Sequence, residues 1–336
     1  MKKNIRILLG LLLAAALFLS LCVGRYSIGP KEVLMLFLDR LGLPGYLPVP
    51  PSEMQMVFWN IRLPRILLGL VIGGGISIAG VVFQALFRNP LAAPDILGVT
   101  AGASFGAALA IMVLTQWTLG IQSSAFAFGI MAVFCAYVLA SRSRDRSAAV
   151  LVISGIVISA IFQSGLSILM YIADPYDQLS KIIFWIMGSF HTASWSKVEI
   201  TVPIVLIGSV TLGLFGWRLN IMTQNEEEAI SLGIHVSRWR LFYITISTLI
   251  VASSVAAVGT ISWVGLIIPH IARYLVGPEH KRLLPVAGLL GGIFVLLMDT
   301  AARTVLASEI PISIITSIIG APFLGYLILN RKGVRI

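Results

Sequence analysis

Charge is what this sequence has least of. Only 11% of its 336 residues are Asp, Glu, Lys or Arg, and just 14 are acidic. A soluble domain carries about a quarter charged residues, so this chain lacks the ionised groups to cover a folded surface in water. Cysteine is scarce too. Cys22 and Cys135 both fall in apolar runs, which excludes a disulfide framework and leaves packing as their role. The histidines His191, His235, His270 and His280 never stand three or four residues apart, so no pair shares a helix face as metal ligands. Finally, no Gly-Lys pair occurs anywhere. The phosphate-cradling pattern G-x-x-x-x-G-K-[ST] is therefore missing, with the lysine and Mg²⁺-holding hydroxyl that ATP chemistry needs. No catalytic residue, metal ligand or cofactor is expected on this chain.

What is present is apolar. Hydrophobic residues make up 58% of the chain, and mean hydropathy is +0.96. A bilayer crossing takes roughly 20 apolar residues as a helix, and backbone groups in hydrocarbon must be satisfied within helices or closed barrels. The apolar runs lack period-2 alternation, which argues against a barrel. The expected fold is an all-α polytopic membrane protein of about ten transmembrane helices in one domain, 1–336. The predicted spans are 5–23, 60–86, 99–117, 121–140, 148–172, 198–216, 240–258, 261–276, 284–306 and 311–330. Residues 181–190 are apolar but too short to cross, so they read as a re-entrant or interfacial helix. Pro269 is a potential break in the short span 261–276. Glycines four apart, as at Gly69/Gly73, Gly98/Gly102/Gly106 and Gly288/Gly292, let helix backbones approach closely.

The first span has the basic start and apolar run of a signal sequence, but the spans that follow point to a retained helix. An even number of spans puts both termini on one side. Basic residues at both ends, and at 88, 142–146, 218, 238–240, 273 and 281–282, collect on that side. Under the positive-inside rule it is cytoplasmic. The net charge of +10 is thus a topology signal rather than a mark of nucleic-acid binding. The expected location is a prokaryotic cytoplasmic (inner or plasma) membrane.

Eight basic residues fall on or near the other side: Arg25, Lys31, Arg40, Arg62, Arg65, Lys181, Lys197 and Arg303. Arg62 and Arg65 flank Pro64, which suits a first helical turn. Arg303 stands four residues after Asp299, a favourable ion-pair spacing, and Glu199 lies near Lys197. These arginines either snorkel to headgroups or form a positive rim for an acidic partner.

Two inner loops carry sharper signals. In Arg88-Asn89-Pro90-Leu91-Ala92-Ala93-Pro94-Asp95-Ile96-Leu97-Gly98, two prolines four apart, with Asn before and Gly after, impose a fixed turn and a fresh helix start. The loop 217–239 contains Asn225-Glu226-Glu227-Glu228-Ala229-Ile230-Ser231-Leu232-Gly233. Asn225 can cap, the glutamates complement a helix N-terminus, and Gly233 can end the turn. That makes a two-turn surface helix, either simply capped or serving as a docking element.

With these motifs in order, the chain resembles the permease subunits of the iron–siderophore, haem and vitamin B12 type ABC importers (type II importers), over essentially its whole length. The resemblance rests on Arg62-Leu63-Pro64-Arg65, Gly80 to Leu86, Asn89-Pro90-Leu91-Ala92 with Pro94 and Leu97-Gly98, and Glu228-Ala229 with Leu232-Gly233. Gly265 to Arg273, Asp299 with Arg303, Glu309-Ile310-Pro311-Ile312 and Gly320-Ala321-Pro322 complete it.

The resemblance implies ten helices per subunit, with the path along the axis of a dimer formed with a second copy or a homologous permease. Two ATP-binding cassette subunits holding ATP and Mg²⁺, and an extracytoplasmic substrate-binding protein, would complete the machine. Helices 2–5 and 7–10 of such permeases form inverted repeats. Carried over residue by residue, Glu228, Ala229, Leu232 and Gly233 belong to the helix that couples to the ATPase. Arg62, Arg65 and Arg303 form the rim that pairs with glutamates of the binding protein. Ser147, Ala148 and Ala149 match a cytoplasmic gate, with alanines at the last two positions. Asn89, Pro90, Pro94 and Gly98 shape the loop between the second and third spans.

Few charges inside the spans suit a large chelate passing along a smooth wall, so an iron chelate is the expected cargo. Haem, cobalamin and molybdate remain alternatives. An ion-coupled secondary transporter would need unpaired buried acids, and an intramembrane enzyme a convergent catalytic set. Acids inside the spans are few, which leaves the first as a more distant alternative, and the scattered histidines argue against the second.

Overall fold

The computed structural model describes residues 3–42, 50–114, 117–144, 147–223, 231 and 233–329. Among them every regular element is a helix. In chain order these are α1 (Lys3–Cys22), α2 (Pro30–Arg40), α3 (Ser52–Leu86), α4 (Val99–Leu114), α5 (Thr118–Ser141), α6 (Ala148–Ile172) and α7 (Gln178–Met187). Then follow α8 (Trp195–Leu214), α9 (Gly216–Thr223), α10 (Val236–Val258), α11 (Val264–Val276), α12 (His280–Ala302) and α13 (Ile312–Leu329). Six of them, α3, α5, α6, α8, α10 and α12, are long and apolar enough to cross a membrane by length and composition. The expected spans thus appear as helices, and residues 181–187 of the stretch 181–190 fall on the short α7, which ends at Met187.

Three elements depart from expectation, one of them α9, which occupies the start of the expected loop 217–239. Helix α2 was not anticipated, because Lys31, Glu32, Asp39 and Arg40 break its apolar pattern. Helix α3 begins at Ser52 rather than near 60. Pro64 therefore sits inside a continuous helix instead of opening one. The chain accommodates it by widening the preceding turn, Val57–Arg62, into a π-helix, in which the N–H of Leu63 donates to the carbonyl of Phe58 five residues back. A π turn relieves the clash between a proline ring and the previous turn.

Helix α3 is the centre of the bundle, packing on α8, α10, α11 and α12. In its most apolar window 78% of residues are buried, against 22% for α6. The packing is close because side chains are missing where backbones meet. A Cβ on Gly80 would run into the carbonyl of Gly265 on α11, and one on Gly73 into the carbonyl of Gly291 on α12. Gly265 stands four residues before Pro269, which remains inside α11 without ending it. Since proline has no N–H, the Gly265 carbonyl lacks its usual helical donor, and Gly80 covers it.

Candidate functional site

The three arginines singled out in the sequence meet at one end of the bundle, and all are buried. Helix α1 ends at Cys22, so its last carbonyls have no amide partners within the helix. Arginine supplies the donors. Nη1 of Arg62 donates to the carbonyls of Leu21 and Cys22, and Nη2 to that of Tyr26 at 2.6 Å. Arg303 Nη2 donates to both the carbonyl and the hydroxyl of Ser20, each at 2.7 Å. Two cations thus cap the negative end of one helix, a favourable electrostatic arrangement.

Arg65 does a different job. Its Nε lies 2.9 Å from each carboxylate oxygen of Asp299, and Nη2 lies 2.8 Å from Oδ1. Nη1 bonds both oxygens of Glu309, at 3.0 and 3.1 Å. One planar guanidinium thus holds α3, α12 and the 303–311 connection together, a geometry that lysine cannot reproduce. The expected Arg303–Asp299 partnership is secondary. Arg303 Nε stands 3.9 Å from Asp299 Oδ2 and has no hydrogen-bond partner among the described residues. Burial pushes the Glu309 carboxyl up, but its bonds to Arg65 and the charges of Arg65, His191 and Arg25 outweigh this, leaving it below the usual glutamate range. None of the three arginines lies on an exposed rim; the hydrogen bonds they make here all go to groups of their own chain.

The same end holds a cavity of about 560 Å³ between α7, α8 and the end of α10. Lys197 forms part of its wall. Its ammonium donates to the hydroxyl of Thr192 at 2.6 Å and to the carbonyl of Ala257 at 2.7 Å. Glu199 does not pair with it; Lys197 is buried, whereas Glu199 is exposed.

At the opposite end, Asn89 accepts the Leu91 N–H on its side-chain oxygen at 2.9 Å, and Gly98 has φ +86°. The loop with Pro90 and Pro94 is therefore a built turn, packed through Pro94 against Gly265. Ser147 precedes α6 in an extended conformation, with Ala148 half-buried and Ala149 exposed. Ser147 also lines a cavity of about 250 Å³ with Tyr137, Ser141, Leu151, Ser237 and Arg240. Of the residues expected to couple to the ATPase, Glu228, Ala229 and Leu232 lie outside the described residues. Gly233 has φ +76°, the left-handed conformation that suits a helix end. Sequence reading missed what brackets this segment: the Arg218 guanidinium lies 4.0 Å from the ring centre of Trp239 and 4.9 Å from that of Trp217. The signal was present as aromatic residues at both ends of the loop. Nearby, Arg273 donates to Gln84 at 3.0 Å, and Gln84 donates to the Leu266 carbonyl at 3.2 Å.

Residues 12–330 match the model of the FecCD transport family. The chain belongs to that family. It is 40% identical over 326 residues to the molybdate import system permease protein of Haemophilus influenzae, covering 96% of this chain and 95% of the relative. It is 36% identical over 332 residues to the iron(3+)-hydroxamate import system permease protein of Bacillus subtilis, covering 96% and 95%. A solved structure described as an inward-facing conformation of a putative metal-chelate type ABC transporter superimposes with a TM-score of 0.86 at 38% identity, covering 97% of this chain and 99% of that one. This FecCD protein is accordingly a membrane-embedded permease subunit of an ABC importer, and ATP hydrolysis belongs to separate subunits.

Proposed function

We propose that this permease works as a homodimer whose shared axis carries a metal-containing cargo, first of all an iron chelate. The observation that carries this reading is the contrast between a glycine-packed centre and a bare flank. Backbones in contact fill the space between α3, α11 and α12, while α6 exposes Ile153, Ile156, Ile161 and Ile168, each about 60%. A path is more easily opened between two such flanks than through the closed centre.

In this reading both termini are cytoplasmic, and the 224–233 segment with Glu228, Ala229, Leu232 and Gly233 seats in the ATPase. Ser147, Ala148 and Ala149 stand at the cytoplasmic gate, beside the turn of Asn89, Pro90, Pro94 and Gly98. ATP binding draws the two ATPases together, and the coupled helices switch the side on which the path opens. The binding protein docks at the end bearing Arg62, Arg65 and Arg303. Given their burial, these arginines serve docking by fixing α1 and the 303–311 connection that form the surface there.

A second cargo, a molybdate-type oxyanion, is supported by the similarity to the Haemophilus influenzae permease and by the lysine-bearing cavity. Haem and cobalamin have no such support in the geometry. Single cysteines at 153, 156, 161 and 168, in a chain lacking Cys22 and Cys135, test the path. A disulfide-linked dimer whose formation blocks ATP-dependent uptake is expected at one or more positions. Failure at all four would exclude the α6 flank from the dimer axis.

A further inference from the structure

Lys197 is the buried cation that the arginine–carboxylate cluster does not explain. It lies in the first turn of α8, where only 6% of the residue is exposed. Two of its three N–H donors are engaged, by Thr192 and by the Ala257 carbonyl, and the third has no partner in the chain among the described residues. No carboxylate among the described residues lies within ion-pair distance of it. The other charges on the cavity wall are already balanced: Lys181 pairs with Asp177 at 2.6 Å, and Glu309 is held by Arg65. The same wall carries the hydroxyls of Ser180, Ser189 and Thr192 and the imidazole of His191. Such groups donate hydrogen bonds. The cavity thus offers one positive charge with no carboxylate partner among the described residues, on a wall shared with these hydroxyls and with Phe184 and Trp185. An isolated buried charge is costly unless something pairs with it, and ionisable groups within membrane proteins mark substrate pathways.

We propose that this cavity is an anion-binding vestibule in which Lys197, assisted by His191, Ser180 and Ser189, holds the negatively charged oxygens of the cargo before it enters the path. The inference rests on the importer reading above and narrows its cargo to anions. Two sources share the chemistry: a tetrahedral metal oxyanion and the phenolate oxygens of a ferric tricatecholate. A neutral ferric trihydroxamate lacks it. Lys197 has a competing role, since the Ala257 carbonyl belongs to the last turn of α10 and a lysine there caps the helix.

The test uses the full complex of permease, ATPase and binding protein in proteoliposomes, offered molybdate, a ferric tricatecholate or a neutral ferric trihydroxamate. The wild type is expected to import one of the two anions, which identifies the source. Lys197→Gln, which keeps a donor for Ala257 but removes the charge, is expected to lower that uptake about tenfold or more, the scale of a lost charged hydrogen bond. Adding His191→Lys to Lys197→Gln returns an ammonium to the same wall and is expected to recover part of the uptake, which mere helix capping would not allow. Unchanged uptake in Lys197→Gln, or no recovery with His191→Lys, overturns the proposal. Import of the trihydroxamate alone overturns it while leaving the importer reading intact. Import of none of the three by the wild type brings down the metal-cargo reading and this inference with it.

Discussion

Arg65 and Asp299, separated by 234 positions in the chain, form a buried two-oxygen ion pair that joins α3 to α12. Glu309 occupies the remaining edge of the same guanidinium. Breaking such a pair from one side leaves an uncompensated charge, which costs about 3 to 5 kcal/mol. Arg65→Met and Asp299→Asn should therefore each lower the thermal unfolding temperature of the purified permease markedly. Because the two share one interaction, the double variant should fall short of the sum of the single losses. Additive losses in a double-mutant cycle would mean that the pair is not coupled.

Glu309 gives this cluster a pH dependence of defined sign. Its folded pKa is depressed, so its stabilisation is complete above the unfolded value of about 4.3 and is lost as pH falls through the folded pKa. Wild type should exceed Glu309→Gln in stability at neutral pH, and the gap should close in acid. Thermal melts of both proteins between neutral pH and pH 3 would show it. A gap that widens in acid would reverse the sign.

Gly80 and Gly213 make a paired test of the packing. Gly80→Ala places a methyl against the Gly265 carbonyl and should cost about 1 to 3 kcal/mol, as overpacking does. Gly213, within α8, has open space at its Cβ position, so Gly213→Ala should stabilise by roughly 0.5 to 1 kcal/mol through helix propensity. Melting temperatures moving in opposite directions are expected.

Arg218, stacked on Trp217 and Trp239, pins both ends of the loop that holds the proposed coupling segment. Arg218→Gln removes a contact of about 0.5 to 2 kcal/mol and should loosen the loop while leaving the bundle assembled. The expected result is weaker stimulation of ATP hydrolysis by the binding protein, with near-normal thermal stability. Glu228→Lys should weaken the same stimulation more strongly. Full stimulation in both would separate this loop from coupling.

The spans were legible because a bilayer demands long apolar runs, and nothing else in a sequence of this composition produces them. Helix α2 was not, since its mixed face carries Lys31 and Asp39 and has no membrane-length run. The π turn before Pro64 was also hidden, because the residues alone allow proline either to open a helix or to sit in a widened one. Spacing pointed to Arg303 as the partner of Asp299. The structure gives Asp299 to Arg65 and turns Arg303 to Ser20, because the last carbonyls of α1 lie within reach and need donors. A pairing across 234 positions is set by the packing of α3 on α12, which local spacing does not encode. Lys197 stood out as a basic residue on the less basic side, but its cavity is formed by elements distant in sequence.

This chain is the permease of an importer whose ATP is hydrolysed on separate subunits. Uptake into proteoliposomes tests this most directly, with the permease reconstituted alone, with its ATPase, and with ATPase and binding protein together. Accumulation of a metal-containing cargo is expected only in the complete system with ATP, unaffected when proton and sodium gradients are collapsed. Accumulation by the permease alone, driven by either gradient without ATP, would contradict it.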